Sequence, residues 1–247
     1  MSRYLVLTRS AYYAVVASIP LLVTYEILLS LGGDPSGGQV RNAADVWLRS
    51  LLGALGLTTS QVSLGMILVL ILSIPVIRRS SVPLKLRYFG GMLVESFAYA
   101  VVLGIVINYV LGFLFSALAS SSGGGFAAGY PVALGAGTSL VQRIALSLGA
   151  GLFEELVFRV ILVGLLLAVT RLVFKEWLSV LVSSTGAAFL FSLAHYVGPL
   201  GEQLLLNSFL FRWMAGLLFS ALFYLRGFAI TAYSHALYDI WVLTGAP

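Results

Sequence analysis

Hydrophobic positions along this chain fall in long unbroken runs, not in alternating or narrow stripes. Seven runs stand out, at about residues 11–31, 62–77, 89–119, 138–170, 177–195, 206–225 and 228–244. A bilayer-spanning helix needs about 20 apolar residues. The pattern therefore predicts an all-α polytopic transmembrane helical bundle of about seven to eight spans. The run 62–77 is short, and 89–119 and 138–170 are long enough to tilt, to leave the bilayer or to hide a break. A transmembrane barrel would instead show alternating segments of about ten residues. The first run is too long for a signal-peptide core and lacks a clean small-residue cleavage site, so it is expected to remain as an anchor helix.

Two connections carry patterns of their own. Within 32–61, Ala43–Leu57 groups Trp47, Leu48, Leu51 and Leu52 beside Asp45 and Arg49 at helical spacing. This predicts either an interfacial amphipathic helix or an ordinary loop helix. Residues 120–137, with Ser120–Gly125 and Gly135–Gly137, read as a flexible loop. No internal repeat argues for a transporter built of inverted halves. The chain is expected to form one membrane domain, with N-terminal helices and loops over 1–137 and a catalytic core over 138–247.

Composition sharpens this reading. Of 247 residues 60% are hydrophobic and 9% charged, against about 25% charged in a soluble domain. That excludes a soluble enzyme. The absence of cysteine excludes thiol chemistry and Cys-ligated metal. The net charge of +5 is no nucleic-acid signal, because the basic residues sit between the apolar runs. Arg3, Arg9, Arg78, Arg79, Lys85, Arg87, Arg171, Lys175 and Arg226 fall on one side, and Arg41, Arg49 and Arg143 on the other. The positive-inside rule then places the N-terminus in the cytoplasm of a cell-membrane protein. Trp177, Tyr4 and Trp241 are expected as interfacial anchors.

Ionisable groups inside spans are expensive and usually functional. They are Glu26, Glu95, Glu154, Glu155, Arg159, His195, Arg212, His235 and Asp239. Glu26 and Glu95 have no motif around them and read as structural partners, with Arg212 pairing one of them or snorkelling. Three motifs hold the rest. In Gly151-Leu-Phe-Glu-Glu-Leu-Val-Phe-Arg159, Glu155 and Arg159 are i,i+4 neighbours, and Glu154 points about 100° away. Phe191-Ser-Leu-Ala-His195 ends an apolar run. In His235-Ala-Leu-Tyr-Asp239 the histidine and the aspartate share one helix face.

The inventory suits hydrolysis by an activated water. A buried glutamate takes a proton from water. Two histidines and a carboxylate either hold a divalent ion that lowers the pKa of that water or stabilise an oxyanion directly. No serine stands beside a His and an acid as a nucleophile, and no HExxH zinc motif is present. The runner-up is a proton-coupled membrane transporter, because intramembrane Glu, His and Asp also mark proton relays. A catalytically silent scaffold is a third reading.

Glu154-Glu155-x-x-x-Arg159, then Phe191-x-x-x-His195, then His235-x-x-x-Asp239, in this order, resembles the CAAX protease and bacteriocin-processing (CPBP, or ABI) family. That family includes the type II CAAX prenyl endopeptidases. The resemblance spans roughly residues 140–245. It implies an intramembrane endopeptidase with Glu154 as catalytic base, supported by Glu155 and Arg159. His195, His235 and Asp239 would then bind the water, a metal, or both, the metal being zinc if there is one. It also implies a peptide or lipidated protein substrate, met in the bilayer. One difficulty accompanies it. His195 falls near the outer end of its span, His235 about seven residues in from the cytoplasmic side, and Glu154 between them. Convergence demands tilt, other boundaries or a non-helical break near Gly198–Gly201.

Overall fold

The computed structural model describes residues 3–32, 40–77, 82–122, 139–198 and 201–243. Every regular element among them is helical. A short α1 (Arg3–Thr8) precedes α2 (Ala11–Leu31), α3 (Ala43–Gly53), α4 (Thr59–Ile77) and α5 (Leu86–Ser122). The second half holds α6 (Leu140–Gly149), α7 (Val163–Thr170), α8 (Glu176–Ala194), α9 (Leu206–Arg226) and α10 (Phe228–Leu243). The apolar runs thus become helices with ends close to those expected. Four of them are long and apolar enough to cross a membrane: Ala11–Leu31, Leu86–Leu114, Glu176–Ala194 and Leu206–Arg226, while the apolar stretch Thr59–Pro75 is shorter. Of the glycine-rich connection, residues 120–122 close α5, and 123–137 lie outside the described residues. Arg78 and Arg79 also lie outside them.

The long run 138–170 does not break; it widens. Ser139 opens α6 with a capping box to Gln142. Between α6 and α7 the chain passes through two π-helical stretches, Ala150–Glu154 and Leu156–Leu162, with no interruption of the helix. π-Helical turns are rare and collect at functional sites. Here they carry Glu154 and Arg159, with Glu155 at the junction between the two stretches.

Two apolar clusters pack the bundle. One joins α2, α5, α9 and α10 through Tyr13, Ile107, Phe219 and Ile230. The other joins α2, α3 and the first π-helical stretch through Leu22, Tyr25, Ala44 and Phe153. Large apolar side chains such as Leu68, Val94 and Leu165 stay exposed, as suits helices whose solvent is hydrocarbon.

Helix α3 departs from an ordinary amphipathic pattern. Asp45 and Arg49 are buried, and Trp47 and Leu51 are exposed. Its polar face turns inward because partners wait there. Arg49 donates to Asp45 (2.6 Å) and to Glu26 (2.5 Å), and Arg41 reaches both carboxylates at 3.0 Å. Glu26 is therefore structurally paired, as expected. Glu95 likewise holds Arg226 and accepts from Tyr4 at 2.7 Å. Tyr4 thereby spends its hydroxyl on a carboxylate. Arg212 pairs with neither Glu26 nor Glu95. It donates to Glu202 (2.7 Å), Ser208 (2.7 Å) and Tyr196 (3.0 Å), because the turn after α8 brings Glu202 over it.

Candidate active site

Close approach of helices builds the site. A Cβ at Gly151 would lie 2.9 Å from the Ala236 backbone nitrogen and 2.8 Å from the Ala236 Cβ. A Cβ at Gly149 would meet the Tyr25 ring at 2.6 Å and the Asn42 Cβ at 3.0 Å. The two glycines let the π-helical run lie against α10 on one side and against α2 and the start of α3 on the other. Small residues serve this purpose between membrane helices. Overpacking such a contact costs about 1–3 kcal/mol. Gly151→Ala is therefore expected to lower the melting temperature in detergent. Gly164→Ala, where no atom lies within 4 Å, is the control and leaves it in place. Equal melting of the two variants would show that this approach is not tight.

The paired glutamates separate onto different partners. Glu155 is fully buried. Its Oε1 faces Arg159 Nη1 at 3.1 Å and His235 Nδ1 at 2.7 Å. The i,i+4 pair with Arg159 survives the π-helical winding. Glu154 turns the other way. Its Oε1 accepts from Asn42 Nδ2 at 2.7 Å, and its Oε2 lies 3.9 Å from His235 Nε2. His235 Nε2 also lies 3.7 Å from Asp239 Oδ2, so the shared face of α10 is occupied as expected. His235 thus stands between the two glutamates, with its ring stacked on Phe219 at 4.6 Å. With Glu155 ionised, Nδ1 carries a hydrogen and donates it. Nε2 then faces the Glu154 side, where it accepts a proton or, once protonated, donates.

Aromatic rings join Glu155 around Arg159. Its guanidinium lies 4.6 Å from the Phe191 ring centroid and 5.7 Å from that of Phe219. Cation–π contact of this kind gains strength where water is absent. Phe191 also connects the histidines, since its ring lies 5.0 Å from that of His195 and 6.2 Å from that of His235. His195 follows the last residue of α8, with Nδ1 2.9 Å from the Phe191 carbonyl oxygen. After it the chain folds straight back, and the Glu202 amide donates to the His195 carbonyl at 3.0 Å. His195 is in electrostatic reach of Glu154. The three motifs do converge. Of the region proposed for a non-helical break, the Gly201 amide donates to the Gly198 carbonyl at 3.0 Å, and residues 199–200 lie outside the described residues.

Some hydrogen-bonding capacity at the centre is unspent. Glu155 Oε2 and Arg159 Nε are buried and have no hydrogen-bond partner. Such atoms cost about 1–3 kcal/mol each unless water or a ligand reaches them. Among the described residues no group of three or more His, Asp and Glu side chains is placed to hold an ion. Of the three ligands expected from the sequence, His235 spends Nδ1 on Glu155 and turns Nε2 toward Glu154 and Asp239, while His195 stands at the end of α8.

Residues outside the motifs complete the site. Asn42, Phe219 and Gly149 were not singled out by the sequence, and Gly151 entered only as the first position of its motif. Asn42 was legible only as a helix cap, and Phe219 only as one apolar residue in an apolar span.

Residues 136–241 match the family model for type II CAAX prenyl endopeptidase Rce1-like proteins. That stretch contains all six motif residues, and the family resemblance carried by the motifs is shown over it. No curated relative and no solved structure matches the chain. The match and the four apolar helices together indicate a membrane protein with a segment of a protease family. They do not favour the transporter reading.

Proposed function

We propose that the protein is an intramembrane endopeptidase that cleaves a peptide bond with a water activated by Glu154. The observation that carries this reading is the separation of the adjacent glutamates. Glu155 is committed to Arg159 and His235, and Glu154 keeps one oxygen turned to His235. In the proposed reaction water loses its proton to Glu154 Oε2 as its oxygen attacks the substrate carbonyl. The oxyanion is stabilised by hydrogen bonds from His235 Nε2–H and His195. Glu154 then returns the proton to the leaving nitrogen. Glu155 holds the ring of His235 through Nδ1, and Asp239 sets the field around Nε2. No step passes through a metal, so cleavage is expected to survive chelation.

The proposed substrate is a C-terminal CAAX segment on a prenylated protein. A cavity of about 800 Å³ supports it, lined by Leu22, Leu48, Leu152, Leu156 and Phe228 among others. Its size and apolar lining lie in the range of small-molecule sites, and two of those residues flank the glutamates. The proposed topology puts the N-terminus in the cytoplasm and counts seven spans: α2, α4, α5, the α6–α7 run, α8, α9 and α10.

Purified protein in detergent is to be given a fluorogenic prenylated CAAX peptide, its unprenylated counterpart, and the prenylated peptide with chelator. Cleavage of the prenylated peptide alone, unchanged by chelator, is expected. Equal cleavage of both peptides would remove the lipid requirement. Loss of cleavage on chelation, restored by zinc, would replace the metal-free mechanism. No cleavage of either peptide would reject this substrate class.

A further inference from the structure

The segment matched to the protease family starts at residue 136, yet a side chain from residue 42 holds the proposed base. Asn42 sits at the N-terminus of α3 and uses every polar atom it offers there. Its Oδ1 accepts from the Ala44 amide at 2.9 Å and caps the helix. Its Nδ2 donates to Glu154 Oε1 at 2.7 Å. Its backbone amide donates to the Tyr25 hydroxyl at 3.3 Å, and that hydroxyl donates to Asp45 at 2.8 Å. Asp45 in turn belongs to a group with Glu26, Arg41 and Arg49, in which Asp45 and Arg49 are buried and Glu26 and Arg41 half-buried. Ser63 and the Thr59 carbonyl tie that group to α4.

A neutral set of two acids and two arginines under α3 is a poor route to stability alone. Replacing buried ion pairs with apolar residues of similar volume is often neutral or favourable. What the set does provide is a rigid mount. Asp45, one turn into α3, is fixed from three sides, so the cap that precedes it has no freedom to turn. The chemistry at the cap is equally specific. An amide side chain carries its acceptor and its donor on separate atoms, so Oδ1 caps the helix while Nδ2 reaches Glu154, and asparagine is among the best helix caps. A cationic donor in its place would neutralise the carboxylate that has to accept a proton. Asn42 grips one oxygen of Glu154 and leaves it a base.

We propose that Asn42 is a positioning residue for Glu154, and that the α2–α3 hook with its charge cluster is its mount. The proposal rests on the assignment of Glu154 as the base. By pinning Oε1, Asn42 turns Oε2 toward His235, where the water is to be activated.

Capping and positioning can be separated. Ser and Asp cap helices about as well as Asn, but neither donates to Glu154 as the amide does. Asn42→Ser is expected to melt with the parent protein, and Asn42→Asp below it, because a second buried carboxylate then faces the first. In both, kcat is expected to fall about 100-fold, the scale set by a misplaced catalytic group, with KM unchanged. Asn42→Asp is expected to lose more, because it sets a second carboxylate against the first. Asn42→Ala is expected to lose stability as well as rate. Unchanged kcat in Asn42→Ser and Asn42→Asp would overturn the proposal, as would losses that merely follow melting temperature. A second measurement does not depend on turnover. The infrared difference between Asn42→Ser and the parent is expected to show a carboxylate-stretch band that vanishes in a Glu154→Gln background. If the parent cleaves nothing, the assigned activity fails while this spectrum still decides the contact. Absence of the band overturns the positioning role whatever the activity.

Discussion

Glu154→Gln is expected to lower peptide cleavage at least about 10³-fold, within the usual range for losing an acid–base group, and to leave the fold intact. That fall corresponds to about 4 kcal/mol of transition-state stabilisation. The substitution suits the question because glutamine keeps the oxygen that Asn42 grips at 2.7 Å. It removes only the ability of Oε2 to take a proton opposite His235. Single-turnover cleavage and thermal melting in one detergent give the two readouts. A variant that melts with the parent and retains more than a tenth of its rate would reject Glu154 as the base. A variant that does not fold would point instead to a structural carboxylate. Glu155→Gln then shows which glutamate the chemistry needs.

The second large effect is expected at Arg159. Arg159→Met removes the guanidinium that faces Glu155 at 3.1 Å between two phenylalanine rings. It leaves Glu155 fully buried with one oxygen already unpartnered. Breaking a buried pair from one side costs about 3–5 kcal/mol, mostly through the charge left behind. Glu154 does not share this fate, because Asn42 holds it. The cost is therefore expected to come from Glu155 alone. Adding Glu155→Gln to Arg159→Met removes the stranded charge and is expected to restore much of the stability. It does not restore cleavage, because His235 loses the carboxylate at its Nδ1. The coupling energy from a four-protein melting cycle is the measurement. Additive losses would show that Glu155 and Arg159 are not paired in the folded protein.

These effects trace to residues of unequal legibility in the sequence. The pair Glu155 and Arg159 was readable because i,i+4 neighbours meet on any helix close to α-helical pitch. His235 and Asp239 were readable for the same reason. Helix ends such as Leu31 and Ala194 were readable because hydrocarbon thickness fixes the length of an apolar run. The inward face of α3 was not, since Asp45 and Arg49 look like any solvated stripe until Glu26 and Arg41 are placed beside them.

By itself the sequence determined the all-helical membrane class and the position of the helices, because each follows from local period, length and residue chemistry, and it offered six candidate site residues through their charge and a family resemblance. Only the tertiary structure decided how the motifs meet. The π-helical widening around Glu154 and Glu155, the close approach at Gly149 and Gly151, and the reach of Asn42 across 112 positions to Glu154 depend on which helix lies beside which. Packing between distant segments sets that choice, and no local pattern encodes it.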